Sequence, residues 1–243
     1  VWKAVVDGQA MRFRLAGINN QNFIMRDEAT GSWWQQVSGE AIQGPWRGRR
    51  LEAQPWDEIT FEEFRQEHPR GLVLQGEPDL EGEYADENWE DDMQDVPTVT
   101  PVESTDALKP RDLVLGIAID GKARAYPMAT LRRDGVVLDN LGGTPLVLVA
   151  GENRRSARVF RPEIDGEPIE LFAQPGPPPL RLVDAETGST WDFTGLAIAG
   201  PLAGRQLERV QALPDYWFDW KLYHPAGDVF MASAGPAAAR EGG

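Results

Sequence analysis

The feature that most restricts this chain is that it repeats itself. Arg26-Asp27-Glu28-Ala29-Thr30-Gly31-Ser32-Trp33-Trp34 resembles Val183-Asp184-Ala185-Glu186-Thr187-Gly188-Ser189-Thr190-Trp191. Gly39-Glu40-Ala41-Ile42-Gln43-Gly44-Pro45 then resembles Gly195-Leu196-Ala197-Ile198-Ala199-Gly200-Pro201, and Gly48-Arg49-Arg50-Leu51-Glu52 resembles Gly204-Arg205-Gln206-Leu207-Glu208. The match extends outward. Val1-Trp2 aligns with Val159-Phe160 and Asp7-Gly8 with Asp165-Gly166. Phe61, Phe64 and His68-Pro69 align with Trp217, Trp220 and His224-Pro225. Two single-residue gaps suffice over about seventy positions. A chain built this way folds one unit twice.

The copies are unequal. The second has about fifty further residues upstream, from Asp106 to Arg158, so the first lacks strands that its counterpart has. A partial sheet with an open edge needs a cover. The second copy, another subunit or a further segment of chain could supply it. We divide the chain into a partial first copy over 1–75, an acidic linker over 76–105, a fuller second copy over 106–231 and a disordered tail over 232–243. The opening Val1-Trp2-Lys3-Ala4-Val5-Val6 reads as a strand, as in a chain whose leader has been removed or in a fragment.

The expected fold class is mainly β: a duplicated antiparallel β-rich unit with a few short helices. Gly and Pro number 25 and 19 of 243 residues, above an average share of roughly 12%, which favours turns and short strands. Asp-Gly or Gly-Gly pairs at Asp7, Asp120, Asp134, Gly142 and Asp165 signal hairpins. The strands expected around them are Leu113 to Ile119, Lys122 to Tyr126, Val136 to Leu138, Leu146 to Val149 and Ala157 to Phe160. Thr60-Phe61-Glu62-Glu63 is a capping-box arrangement with Phe61 and Phe64 on one helical face. The equivalent helix spans Pro214 to Tyr223, and a short turn holds Met128 to Arg132.

Charge narrows the partners. With 24 Lys and Arg against 39 Asp and Glu, the formal charge is −15, which argues against nucleic acid and anionic lipid. Ten acids lie between Glu77 and Asp95, with no Lys or Arg from Gly76 to Ser104. Asp86-Glu87-Asn88-Trp89-Glu90-Asp91-Asp92 lacks the alternating ligands and central Gly of a calcium loop, so a solvated linker is expected. No apolar run reaches the length of about 18 residues that a membrane span needs. Cys is absent, which removes disulfides, thiolate metal sites and Cys nucleophiles together.

Three strings together resemble the bacterial domain of unknown function 3179. They are Leu115-Gly116-Ile117-Ala118-Ile119-Asp120-Gly121-Lys122-Ala123-Arg124-Ala125-Tyr126-Pro127, Asp139-Asn140-Leu141-Gly142-Gly143-Thr144-Pro145-Leu146-Val147-Leu148-Val149, and the twice-present Thr-Gly-Ser-x-Trp stretch with its Gly-x-Ala-Ile-x-Gly-Pro continuation. The resemblance covers nearly all of Asp106 to Met231 and, again, the downstream half of the domain in Val1 to Gln75. It carries no settled activity, though it implies export, since many members look exported. Members commonly carry a Cys-x-x-Cys pair after the strand equivalent to Leu146–Val149; here those positions are Gly151 and Arg154. The departure implies a copy that keeps the scaffold without thiol chemistry.

No catalytic set stands out. His68 and His224 are the only histidines and occupy equivalent positions before Pro, as helix caps do. Asp27 and Asp184 precede turns, where Asp is common for its local hydrogen bonds. No phosphate-binding Gly-rich loop, Ser elbow or metalloprotease helix is present. Catalytic, cofactor and metal residues are therefore none. Of nine Trp, Trp34 and Trp191 read as equivalent core residues, whereas Trp33 and Trp46 face Thr190 and Leu202 in the other copy. With Trp46 comes a basic cluster, Arg47, Arg49 and Arg50, suited to an acidic partner or to the chain's own linker. These five, with Tyr84 and Trp89 in the linker, are the candidate partner contacts.

The expected function is a non-catalytic scaffold or accessory subunit, extracytoplasmic, acting through protein contacts within a larger assembly. The alternatives are an exported carbohydrate or small-molecule binding protein or enzyme and, more remotely, a degenerate metal or redox module.

Overall fold

The structure, a computed structural model, describes residues 1–19, 22–86, 88–98, 108–176 and 179–231. The tail assigned to 232–243 and the end of the acidic linker lie outside the described residues. Two compact units are present, one from Val1–Asp57 with Ala85–Glu103 and the other from Glu58–Tyr84 with Ser104–Gly243.

In the first unit, β1 (Val5–Val6) and β2 (Gln9–Ala10) form a hairpin. β3 (Phe13–Asn19), β4 (Asn22–Asp27), β5 (Trp33–Gln35) and β6 (Ala41–Gln43) form an antiparallel sheet in sequence order. Val6, Met11, Trp34, Ala41 and Leu51 make its core. Two helices follow in sequence: α1 (Phe61–Glu67), which belongs to the second unit, and α2 (Trp89–Asp95), which belongs to the first. The acidic segment expected to be a plain linker thus contains α2 and a 3₁₀ turn over Pro78–Glu83. Pro78 sits in the first turn of the latter, where its fixed φ suits a helix start and its missing N–H costs nothing.

The second unit begins with β7 (Leu113–Ile119), β8 (Lys122–Pro127), α3 (Met128–Asp134), β9 (Val136–Leu141), β10 (Thr144–Ala150) and β11 (Ala157–Arg161). It continues with the hairpin β12 (Glu163–Ile164) and β13 (Glu167–Pro168), then β14 (Leu171–Gln174), β15 (Arg181–Asp184), β16 (Thr190–Trp191) and β17 (Ala197–Ala199). It closes with β18 (Glu208–Val210), β19 (Leu213–Tyr216), α4 (Trp217–Tyr223) and β20 (Asp228–Val229). Three four-stranded sheets result, ordered β19-β7-β8-β20, β18-β11-β10-β9 and β14-β15-β16-β17. Every pairing is antiparallel except β20 with β8. β10 is apolar along nearly its whole length because both of its faces are covered. Leu146 and Leu148 enter a core with Ile117, Tyr126 and Leu131, while Val147 and Val149 enter another with Phe160, Leu182 and Trp191.

Four of the five expected hairpin turns form. Asp7-Gly8, Asp120-Gly121, Gly142-Gly143 and Asp165-Gly166 all have positive φ at both positions. The fifth is corrected: Asp134-Gly135 ends α3, where Gly135 (φ +77°) is the C-cap and its N–H donates to the Leu131 carbonyl at 2.8 Å. The helix expected from Pro214 starts only at Trp217. Leu213–Tyr216 pair with Leu113–Gly116 of β7 instead, so the sheet takes their backbone groups.

The two repeats share their geometry as well as their residues. The indole N–H of Trp34 donates to Asp27 at 2.8 Å, and that of Trp191 to Asp184 at 2.9 Å. Each Asp also takes the N–H and hydroxyl of a Thr, Thr30 or Thr187, whose hydroxyl meets Ser32 or Ser189 at 2.6 Å. Burial would raise both carboxyls, but these donors together outweigh it and hold them below the ordinary range. Gly44 and Gly200 lie against Ser32 and Ser189 so closely that a Cβ would stand 2.7 and 2.6 Å from the serine Cα. Even the surface pair is duplicated: Arg49 bonds Asp7, and Arg205 bonds Asp165.

The histidines do cap α1 and α4. Each backbone N–H closes the helix, onto Phe64 and Trp220 respectively. Their rings pack on those same aromatics, with centroids 5.4 and 4.0 Å apart. Burial pushes the His224 ring below its ordinary pKa, which favours the uncharged ring that packs on Trp220.

Candidate functional site

The segment joining β10 to β11 contains Gly151 and Arg154, the positions to which the family resemblance assigns a Cys-x-x-Cys pair. It is a tight turn: the N–H of Gly151 donates to the Ser156 carbonyl at 2.8 Å, and Arg154 (φ +60°) donates to the Gly151 carbonyl at 3.0 Å. Helix α1, which in sequence closes the first repeat, lies against this turn. Thr60, its N-cap, donates its N–H to the Ser156 hydroxyl at 2.9 Å, and its own hydroxyl accepts from the Asn153 amide at 2.6 Å.

Glu63 is the centre of the arrangement. It is only 6% exposed. Its Oε2 accepts from the hydroxyls of Ser156 and Thr60, the latter at 3.0 Å. Its Oε1 has no hydrogen-bond partner among the described residues. That oxygen occupies the volume that a side chain at position 151 would take. A Cβ on Gly151 would overlap Oε1 and stand 3.0 Å from the carboxyl carbon and 3.3 Å from the Phe193 ring. One turn later, Glu67 holds Arg158 through two bonds of 2.5 and 2.7 Å. Arg158 is 3% exposed, and its guanidinium lies 4.5 Å from the Phe193 ring centre. A charge as buried as that of Arg158 needs a partner, and Glu67 supplies it. Arg154 is turned elsewhere, packing on Gly135 with one guanidinium nitrogen buried.

Sequence reading missed this cluster. Thr60-x-x-Glu63 was legible as a capping box, but only half of one forms. The Glu63 N–H donates to the Thr60 hydroxyl at 3.4 Å, while the Thr60 N–H goes to Ser156 rather than back to Glu63. The only advance signal was the bare Gly at 151.

A second buried acid sits at the matching helix position. Asp219 on α4 aligns with Glu63 and is likewise buried. Beside it, Asp215 is pushed up to about 8, first by its burial and then by the negative charges of Asp219 and Glu58; the N–H of Tyr216 opposes them. Among the described residues, no group of three or more His, Asp or Glu is placed to hold a metal ion.

The expected partner contacts are dispersed. Trp33 is exposed on β5. Trp46 is half-buried, edge-on to Trp34 with centroids 6.0 Å apart, and takes the Arg49 guanidinium at 5.6 Å. Arg50 pairs with Glu40 at 2.6 Å, so Arg49 and Arg50 both meet acids of their own repeat rather than of the linker. Arg47 is exposed in the turn after β6. Trp89 is exposed at the start of α2 in the same unit. Tyr84 belongs to the second unit, where its hydroxyl accepts from the Glu77 N–H at 2.7 Å.

A family model described as "Protein of unknown function (DUF3179)" matches residues 1–227, through both repeats. The chain belongs to this family. No curated protein and no solved structure matches it. In this DUF3179 chain Cys is absent, and the Glu63 carboxylate lies in the space beside position 151.

Proposed function

We propose that this DUF3179 chain is a non-catalytic, extracytoplasmic scaffold or accessory subunit that works by binding other proteins. One observation carries the reading: the first unit's sheet overshoots its core. Leu15, Ile18 and Phe23, respectively 65%, 67% and 48% exposed, stand on the strand face that further along carries Met25 and Trp34 inward. Ile18 and Phe23 are direct cross-strand partners, and a bulge between Leu15 and Gly17 brings Leu15 onto their side. The equivalent hairpin, β14–β15, pairs over only four residues. An apolar extension with no counterpart among the described residues of the second repeat marks an interaction surface better than it serves folding. The Glu63 plug agrees with this: the space beside Gly151 is filled by the chain's own carboxylate.

The test is the native mass of the chain in extracts of its source, for wild type and for Ile18→Ser with Phe23→Ser. The reading expects a complex heavier than one chain that the double variant loses while keeping its unfolding midpoint. A single free chain in the wild-type extract would overturn it.

A further inference from the structure

A groove of about 240 Å³ runs beside the β9–β10 hairpin in the second unit. Its floor is the buried Leu146, Ile169 and Leu171, and exposed Leu138, Pro145 and Pro168 stand around it. Drug-sized ligands need about 300–1,000 Å³, so this groove has room for one or two side chains rather than for a whole small molecule. Prolines make stiff walls, which lowers the ordering cost of binding.

Charge decides what fits. Asp139, Glu170 and Glu186 line the groove, and no cation does among the described residues. Asp139 is already engaged, by Arg124 at 2.7 Å and the Tyr126 hydroxyl at 2.6 Å. Glu186 is fixed in place by the Glu170 N–H, which donates to both of its oxygens at 3.1 and 3.0 Å. The Glu170 carboxylate is exposed and has no ion pair among the described residues. In the first repeat the matching positions are Arg12 and Ala29. The acidic rim therefore belongs to the second repeat alone and is no requirement of the shared fold. Lysine and arginine combine an apolar stem with a cationic end, which matches an apolar floor with carboxylates at its rim. A chain of net charge −15 also attracts such a partner over distance.

We propose that this groove docks a Lys- or Arg-bearing segment of a partner protein, the stem lying on Leu146 and the proline walls and the charge between Glu170 and Glu186. This names the partner's chemistry and rests on the scaffold reading only for the partner being a protein.

The probe is an acetylated, amidated heptapeptide, Ala-Leu-Lys-Pro-Leu-Arg-Ala, titrated into the full ¹⁵N-labelled chain. We expect saturable shifts at the Glu170 and Glu186 amides and weakening of at least fivefold in Glu170→Gln with Glu186→Gln. The Glu186→Gln change keeps an acceptor for the Glu170 N–H, and an unchanged urea midpoint confirms that fold. Raising salt from 50 to 300 mM should weaken binding severalfold. Norleucine in place of Lys and Arg should abolish it. Equal binding of the norleucine peptide, no loss in the double variant, or equal affinity for n-butylamine alone would each overturn the assignment. If the native complex persists in the Glu170→Gln, Glu186→Gln variant and is lost with Ile18→Ser, Phe23→Ser, the groove fails and the scaffold reading stands.

Discussion

Adding a single methyl group at Gly151 should be costly, and should stop being costly once Glu63 is shortened. Gly151 is not in the left-handed region, so alanine meets no backbone penalty there. The penalty comes from Glu63, whose carboxylate is held by Ser156 and Thr60 and cannot swing away without losing both. Overpacking a buried site costs about 1–3 kcal/mol. At this chain length that is roughly 2–4 °C of melting temperature per kcal/mol. In a Glu63→Ala background the new Cβ enters space that the carboxylate has left, with the Phe193 ring 3.3 Å away. Gly151→Ala should then be neutral, or stabilise by about 0.4–1 kcal/mol through the less flexible unfolded chain. The coupling energy expected from the double-mutant cycle is therefore about 1–4 kcal/mol. Calorimetric or urea unfolding of the four proteins measures it. Additivity within about 0.5 kcal/mol would show that Glu63 does not fill position 151.

Other outcomes follow from the same contacts. Trp34→Phe and Trp191→Phe should each cost about 1.5–3 kcal/mol at neutral pH, as losses of a hydrogen bond to a charged group, by urea unfolding. Asp27 and Asp184 have depressed folded pKa values, so their stabilisation is present above about pH 4 and is lost as pH falls through the folded values; both Trp penalties should shrink there. Asp215 has the opposite sign. Its folded pKa of about 8 exceeds the unfolded value, so the wild type loses stability as pH rises from about 4 to 8. The stability advantage of Asp215→Asn should grow over that interval and level off above it, in urea midpoints taken at each pH. Arg158→Met should destabilise by about 3 kcal/mol, the lower end for breaking a buried pair, because Glu67 retains some contact with water.

The fold was largely legible because its signals are local. Asp-Gly pairs favour tight turns, and Trp34 and Trp191 recur at equivalent positions of the repeat. β10 was legible as the strand Leu146 to Val149, but its burial on both faces appears only in the structure. Asp134-Gly135 misled because the same positive φ that makes a hairpin also ends a helix, and only the tertiary neighbours of Met128–Asp134 decide which. Leu213–Tyr216 misled because aromatic spacing suits a helix, while an available edge on β7 takes the backbone first. The Glu63 cluster was illegible for a different reason. Thr60, Glu63 and Glu67 are more than ninety residues from their partners Ser156 and Arg158, and no local pattern encodes a contact at that separation. Arg49 and Arg50 drew attention as a basic run, yet their acids, Asp7 and Glu40, lie in their own repeat.

The helix closing the first repeat seals the turn between β10 and β11 of the second. Amide hydrogen exchange at Thr60 tests it most directly, since that N–H reaches only across α1 to the Ser156 hydroxyl. The account predicts slow exchange in the wild type and rapid exchange in Ser156→Ala, with Leu148 in β10 protected in both. Thr60 exchanging in the wild type as fast as unstructured chain, while Leu148 stays protected, would contradict it.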